Sequence, residues 1–139
     1  MSHAITISLK PVGFIQSSIK YRREAPKQGY EGAPHAWVEI IPAVAKGLHR
    51  ITVGQEIILS RGFIRLDATF LKLHPRGDKN LPLTGVFATR SPDRPNPLGL
   101  HRVTALEIVG NRLRVAPLET IDATPVVDIK PVLSATADV

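Results

Sequence analysis

Twelve prolines are spread through the 139 residues of this chain, and they constrain the fold more than any other feature. Proline fixes its own φ, lacks a backbone N–H and breaks helix interiors, so the spacing argues against a long-helix architecture. Between the prolines lie short, β-branched apolar runs bounded by turn residues. Ile5 to Ser17 reads as one or two strands broken near Pro11-Val12-Gly13. Trp37 to Ile41 is a strand closed by Pro42, and Ala43 to Leu48 is at most one helical turn. Gln55 to Leu59 and Arg65 to Leu73 alternate as half-solvated strands do. Gly85 to Thr89 reads as a strand running into a loop, and Val126 to Lys130 as another strand followed by Pro131. The clearest local signal is Gly110-Asn111 between Val103–Val109 and Arg112–Val115, a dipeptide suited to a primed two-residue hairpin turn. Many short strands with regular turns predict an all-β, antiparallel barrel or sandwich with at most short helical turns. A βαβ alternation and a GxGxxG are both missing, which disfavours the common dinucleotide-type cofactor fold.

The length fits one domain over residues 1–139, large enough to bury a core without staples. A hydrophobic fraction of 43% and mean hydropathy of +0.03 are ordinary for a globular protein. The sequence has no apolar run of about 18 residues, and MSHAITISLK does not read as a signal peptide. Cysteine is absent, which removes disulfides and thiolate metal sites and agrees with a cytoplasmic setting. The net charge of +6 and pI near 10.1 favour an anionic partner such as nucleic acid, or simply solubility.

The segment from Ala88 to Gly99, ATRSPDRPNPLG, holds three prolines at Pro92, Pro95 and Pro97. Each fixes its own φ and restricts the residue before it, so the loop loses little entropy on binding. It presents Arg90, Ser91, Asp93, Arg94 and Asn96. Guanidinium groups on a rigid loop suit carboxylate or phosphate, because they make paired hydrogen bonds. Asp93 is placed to orient one of them. From residue chemistry alone the segment is an anion-binding loop, or a stiff structural loop whose arginines form surface pairs.

The run GVFATRSPDRPNPLGLHRVTALEI, continued through NRLRVAPLETIDATPVVDIKPVL, with HPRGD upstream and the N-terminal PVGFIQS, resembles the TsaA-like family, also called YaeB or TrmO. The likeness covers nearly the whole chain and is weakest over 60–69. It implies a β-barrel methyltransferase that uses S-adenosyl-L-methionine without a dinucleotide-type domain. The reaction it implies is methylation of N6 of threonylcarbamoyl-adenosine at position 37 of tRNA. A homodimer with the cofactor pocket near the subunit interface is also implied. Some members carry a further C-terminal domain, and this chain is expected to have none. By position, the resemblance gives Arg90 and Leu100 to the cofactor pocket, with Asp122, Ala123, Thr124 and Pro125 and with Pro26, Lys27 and Gln28.

Three positions depart from the family pattern. Ala123 stands where glycine is common, IILSRGF replaces an aromatic-rich strand with a histidine, and Lys27 replaces an arginine. If the backbone at Ala123 needs positive φ, the methyl group costs about 1 kcal/mol.

Methyl transfer needs alignment of nucleophile, methyl and sulfur. Asp122 is an acceptor for ribose hydroxyls or the cofactor's amino group, or else a turn-forming aspartate. Thr124 is assigned to the adenine or methionine end, and Leu100 and Val86 to apolar parts. An exocyclic adenine amine is a poor nucleophile, so a proton acceptor helps; Asp128 and Asp93 are the candidates. A threonyl carboxylate would need a cation, supplied by Arg94 or Lys130. Arg94, Asp128 and Lys130 are therefore the candidate catalytic residues, although Asp128 and Lys130 equally suit a solvated strand.

Other signals are weaker. His3, His35, His49, His74 and His101 show no ligand spacing, so no metal site is expected. His74 and Arg76 either touch RNA or lie in an exposed loop. Lys20, Arg22, Arg23 and Lys27 near Tyr21 and Tyr30 suit RNA backbone contacts with base stacking, or a solvated loop. The resemblance implies a tRNA anticodon loop as partner, and a base there is already unpaired, which lowers the cost of presenting it. Two alternatives stay open: a methyltransferase for another substrate, and a barrel that binds cofactor or nucleic acid without catalysis.

Overall fold

The computed structural model describes residues 5–19, 34–62 and 72–133. It is all-β: six strands close into an antiparallel barrel in the order β1-β2-β7-β6-β3-β8. These are β1 (Gly13–Gln16), β2 (Ala36–Ile40), β3 (Glu56–Gly62), β6 (Leu98–Val109), β7 (Arg112–Ala116) and β8 (Pro125–Pro131). A separate two-stranded sheet pairs β4 (Lys72–Leu73) with β5 (Thr84–Gly85). Closure leaves the wall without a free strand edge.

Alternation in the sequence becomes the two faces of the wall. Ala36, Val38 and Ile40 point inward from β2, Ile57 and Leu59 from β3, and Val103 and Ala105 from β6; all are buried. Leu113, Val115 and Val126 complete the lumen from β7 and β8. Outward positions carry charge, as with the Glu56–Arg102 pair at 2.8 Å and the Glu107–Arg114 pair at 3.0 Å. Gly13 lets β1 approach β2 closely, because a Cβ there would lie 2.5 Å from the Glu39 carbonyl oxygen. Two irregularities interrupt the alternation. The pairing of β3 with β8 passes from Ser60↔Asp128 to Arg61↔Val126, so Val127 is an extra residue. Leu106 is the extra residue between β6 and β7. Such bulges re-aim side chains; here Val126 faces in, Asp128 faces out, and Ile129 opposite Leu59 faces in again.

The Gly110-Asn111 hairpin forms as expected, with Val109 opposite Arg112. Only Gly110, at φ +59°, is left-handed, which is the pattern of a type II′ turn rather than one needing positive φ twice. The turn after β2 is a 3₁₀ helix over Pro42–Leu48. Two expectations change, and a third falls mostly outside the described residues. Residues 5–10 form no strand, and β1 begins only at Gly13. Most of the expected strand from Arg65 to Leu73 lies outside the described residues. The segment expected as a strand at Gly85 to Thr89 is instead a 3₁₀ turn over Val86–Ala88. Gly85 pairs with Lys72, and the chain turns directly after it.

An even-stranded antiparallel closure assigns each connection to one end. The ends of β1, β3 and β7 and the starts of β2, β6 and β8 share one end, here called the mouth. Connections 17–35, 63–97 and 117–124 therefore open there. The opposite end holds the 3₁₀ helix and the Gly110-Asn111 hairpin.

Candidate functional site at the barrel mouth

The segment from Thr120 to Thr124 is latched to β1 by backbone bonds. Asp122 N–H donates to Ile19 O at 2.6 Å, Ala123 N–H to Ile15 O at 2.7 Å, and Ile15 N–H to Thr124 O at 2.9 Å. Side chains close the latch. Ser17 N–H donates to the Asp122 carboxylate at 2.9 Å, and the Ser17 hydroxyl donates to Thr120 O at 2.6 Å. Thr124 is buried, and its hydroxyl donates to Ile121 O at 2.6 Å, so it shapes the turn. Ala123 sits at φ +69°, the left-handed region that disfavours a Cβ. The glycine-like position seen in the sequence is thus a strained alanine. Ala123→Gly is expected to stabilise the protein by about 0.5–1 kcal/mol, the relieved strain being partly offset by added chain entropy. Urea denaturation measures this, and an unchanged or lower midpoint would contradict it.

Beside this latch lies an open cleft of about 750 Å³, lined by Gln16, Ser17, Ser18, Pro34, His35, Ala36, Trp37 and Asp122. Trp37 is held from the outer side by Arg112, whose guanidinium carbon lies 4.4 Å from the ring centroid. Thr120 is only 2% exposed, and its hydroxyl has no partner among the described residues.

The proline-rich loop folds around Arg94. Its guanidinium donates to Val86 O at 2.8 Å, Thr89 O at 2.9 Å and Ser91 O at 3.1 Å. The Val86 carbonyl also accepts from the Thr89 N–H at 3.1 Å and the Thr89 hydroxyl at 2.9 Å. Thr89 and Ser91 add local turns, with Ser91 Oγ accepting from Asp93 N–H at 3.1 Å. Arg90 is exposed on the same loop. Val86 is buried, so it anchors the loop in the domain rather than lining a surface pocket.

Leu100, 51% exposed, lies on the outer face of β6 opposite Ser60, which on its other side pairs with Asp128. Asp128 and Lys130 share that outer face, with Lys130 Nζ 3.0 Å from Asp128 Oδ2. The mouth thus gathers Arg90, Arg94 and Asp122 to Pro125, while Leu100, Asp128 and Lys130 stand on the adjoining outer wall. Pro26, Lys27 and Gln28, with the basic run around them, lie outside the described residues. His74 Nδ1 is 2.9 Å from Leu81 O in the 74–82 loop. Among the described residues no group of three or more His, Asp or Glu could hold a metal, and no helix is long and apolar enough to cross a membrane.

Residue reading missed one cluster. Arg61 and His101 have the same strand parity as Leu59 and Val103, so both face the lumen at the mouth. Arg61 Nε donates to His101 Nε2 at 2.9 Å. Burial, then the charges of Arg61 and Arg90, push the His101 pKa down to about 4. Burial lowers that of Arg61 to about 10. His101 is therefore neutral near pH 7 and Arg61 still charged. The signal was available: positions 101, 103 and 105 alternate on one face. Ser17, Thr120 and Trp37 also escaped notice, because their proximity depends on barrel closure.

Comparison with known proteins follows this geometry. The family described as tRNA-methyltransferase O N-terminal domain matches residues 14–138. An S-adenosyl-L-methionine-binding protein of Archaeoglobus fulgidus is 39% identical over 122 residues, covering 88% of this chain and 86% of that one. A crystal structure of TrmO from Pseudomonas aeruginosa superposes with a TM-score of 0.72 at 28% identity. It covers 97% of this chain, which spans 61% of the solved chain. Another TrmO crystal structure gives a TM-score of 0.71 at 29% identity, covering 97% and 62% respectively. Sequence match and barrel topology agree over nearly the full length, and the chain belongs to the tRNA-methyltransferase O N-terminal domain family.

Proposed function

We propose that this protein is an S-adenosyl-L-methionine-dependent methyltransferase acting on tRNA, and that its acceptor is N6 of threonylcarbamoyl-adenosine at position 37. The observation that carries this reading is the convergence at one barrel mouth of the rigid Arg90 loop, the Asp122–Pro125 latch and a nucleoside-sized cleft. The fit to the cofactor rests on that cleft. Asp122 is an acceptor for hydroxyl or ammonium groups, Trp37 and Pro34 give apolar wall, and the buried Thr120 hydroxyl is an orphan beside the latch. Arg90 offers a guanidinium to a carboxylate. When bound, the cofactor supplies an electrophilic methyl on sulfonium.

The chain's own task is alignment and water exclusion, which supply several kcal/mol of a displacement barrier. Asp128 is the proposed proton acceptor for the amine, and its contact with Lys130 holds the carboxylate in place. The net charge of +6 favours the RNA backbone. A homodimer is part of the proposal, supported by the exposed Phe87, Leu98 and Leu100 beside the mouth. A cytoplasmic location follows from a tRNA substrate.

The test is incubation with labelled S-adenosyl-L-methionine and tRNA from cells lacking the endogenous activity, then digestion to nucleosides. A methylated position-37 nucleoside is expected. Cofactor binding without transfer would favour a binding module or another substrate, and absence of binding would defeat the reading. Arg90→Ala is expected to weaken cofactor affinity about tenfold or more, consistent with loss of a charged hydrogen bond; calorimetry reads this directly.

A further inference from the structure

Trp37 is the single tryptophan of the chain, and the outer wall of the barrel is arranged around it. Ile15, Val38 and Leu113 face the lumen, so their strand neighbours Gln16, Trp37, Glu39 and Arg112 face outward. Gln16 stands opposite Trp37 and Glu39 opposite Arg112, which leaves Arg112 diagonal to the indole. The four side chains form one run of contacts. The Gln16 amide donates to the Glu39 carboxylate at 2.5 Å and accepts from the Arg112 guanidinium at 3.1 Å. That guanidinium lies on the indole, its carbon 4.4 Å from the ring centroid. Arg112 Nε is buried and has no acceptor among the described residues. An N–H withdrawn from water without a partner is costly, so stability alone does not explain why this arginine is drawn onto the ring. Arg112 takes one face of the indole, and no second ring or cation stacks on it among the described residues. The ring borders the mouth cleft, whose other lining groups are Gln16, Ser17, Ser18, Pro34, His35, Ala36 and Asp122. This lining holds no lysine or arginine, so it does not select an anionic group. A flat aromatic wall with hydrogen-bonding groups around it suits a planar base that carries a sugar.

We propose that Trp37 is a stacking platform for the purine of an adenosine, and that Arg112 and Gln16 are the positioning residues that hold its ring. An indole standing alone on a solvated wall changes rotamer freely. Here Glu39 orients the Gln16 amide, Gln16 orients the guanidinium, and the guanidinium fixes the indole. A ring held in this way loses little entropy when a base stacks on it. That the base is adenine rests on the methyltransferase reading, which brings two adenosines to the mouth, one in the cofactor and one in the RNA acceptor. Both offer the platform the same ring.

Because the chain has one tryptophan, its emission reports on this ring alone. Wild-type protein is titrated with S-adenosyl-L-methionine, and separately with an anticodon stem-loop RNA carrying either adenosine or an abasic sugar at the acceptor position. Tryptophan emission and the proton resonances of the adenine ring are followed together. The expected result is saturable quenching, with an upfield movement of the adenine protons that is lost in Trp37→Leu. Trp37→Leu should weaken binding of that ligand about tenfold, as for loss of one base–aromatic stack, and Trp37→Phe should restore most of it. Arg112→Gln keeps the indole but releases it, and should weaken binding about 2–5-fold, the worth of an exposed cation–π contact. Shifts with the cofactor assign the platform to its adenosine. Shifts that need the RNA base assign it to the acceptor. No quenching and no proton shift with either ligand, or shifts that persist in Trp37→Leu, would overturn the platform. Calorimetry of wild type with S-adenosyl-L-methionine reports separately on the methyltransferase reading. Binding without any signal from Trp37 or from the RNA base defeats the platform alone, and absence of cofactor binding defeats that reading.

Discussion

Arg94→Ala should release the proline-rich loop and weaken cofactor binding by 10- to 100-fold while leaving the barrel folded. Arg94 donates to three carbonyls, those of Val86, Thr89 and Ser91, and shares the first with the Thr89 hydroxyl. Hydrogen bonds from a charged donor contribute about 1.5–3 kcal/mol each. The loop is partly exposed, so water replaces some of this, and a local loss of about 3 kcal/mol is expected. That corresponds to roughly a hundredfold faster amide exchange across the loop if exchange follows local opening. The strands gain their stability from the lumen, which Arg94 does not touch, so the global midpoint should move far less. Binding would then have to re-order the loop, at the expense of affinity. Arg94→Lys should recover little, since one ammonium cannot reproduce a planar fork. Hydrogen exchange and calorimetry on both variants check this. Unchanged exchange and cofactor affinity with lost methylation would instead make Arg94 a substrate contact.

Acidification should destabilise the protein through His101. Its ring is neutral in the folded state and takes up a proton only near pH 4, whereas the unfolded chain protonates near pH 6.5. Between those values protons bind the unfolded state more tightly, so stability is full above about pH 6.5 and falls as pH approaches 4. The gap is equivalent to about 3 kcal/mol. The cause is local: burial disfavours the charged ring, and protonation also sets a second cation against the Arg61 guanidinium and removes the Nε2 lone pair that accepts from it. Carboxylates titrate over part of this window too, so the informative quantity is the difference between wild type and His101→Gln. Denaturation midpoints from pH 7 to 4 should fall more steeply for wild type. Parallel profiles, or an NMR pKa near 6.5, would refute the assignment.

Much of the barrel was legible because period-2 alternation and proline punctuation are local. β2, β6, β7, β8 and the hairpin fall where those signals lie. The left-handed backbone at residue 123 was also foreseeable, from an alanine in a glycine-like position. Length and neighbours were not local. Gly85 to Thr89 has strand-like residues, but the chain turns at Val86. The site split in the same way. Arg90 stands on a segment that composition marks as unusual, and Asp122 is reached through the family resemblance. Arg61 and His101 look unremarkable in their own strands, and only the β3–β6 register brings them together. Arg94 shows the converse, for a loop arginine reads as a ligand contact until its carbonyl partners are seen.

The parity of the barrel has a consequence for how such a protein can diversify. With six antiparallel strands closed on themselves, every second connection must emerge at the mouth, whatever its length or composition. Lengthening one connection twofold adds only about 0.6 kcal/mol of closure entropy, and the ladders on both sides of every strand stay intact. Recognition can therefore be rewritten by exchanging or extending segments 17–35, 63–97 or 117–124, while the Gly110-Asn111 end sees none of the change. Variation in what is gripped and conservation of what does the gripping are, in this architecture, separable inheritances.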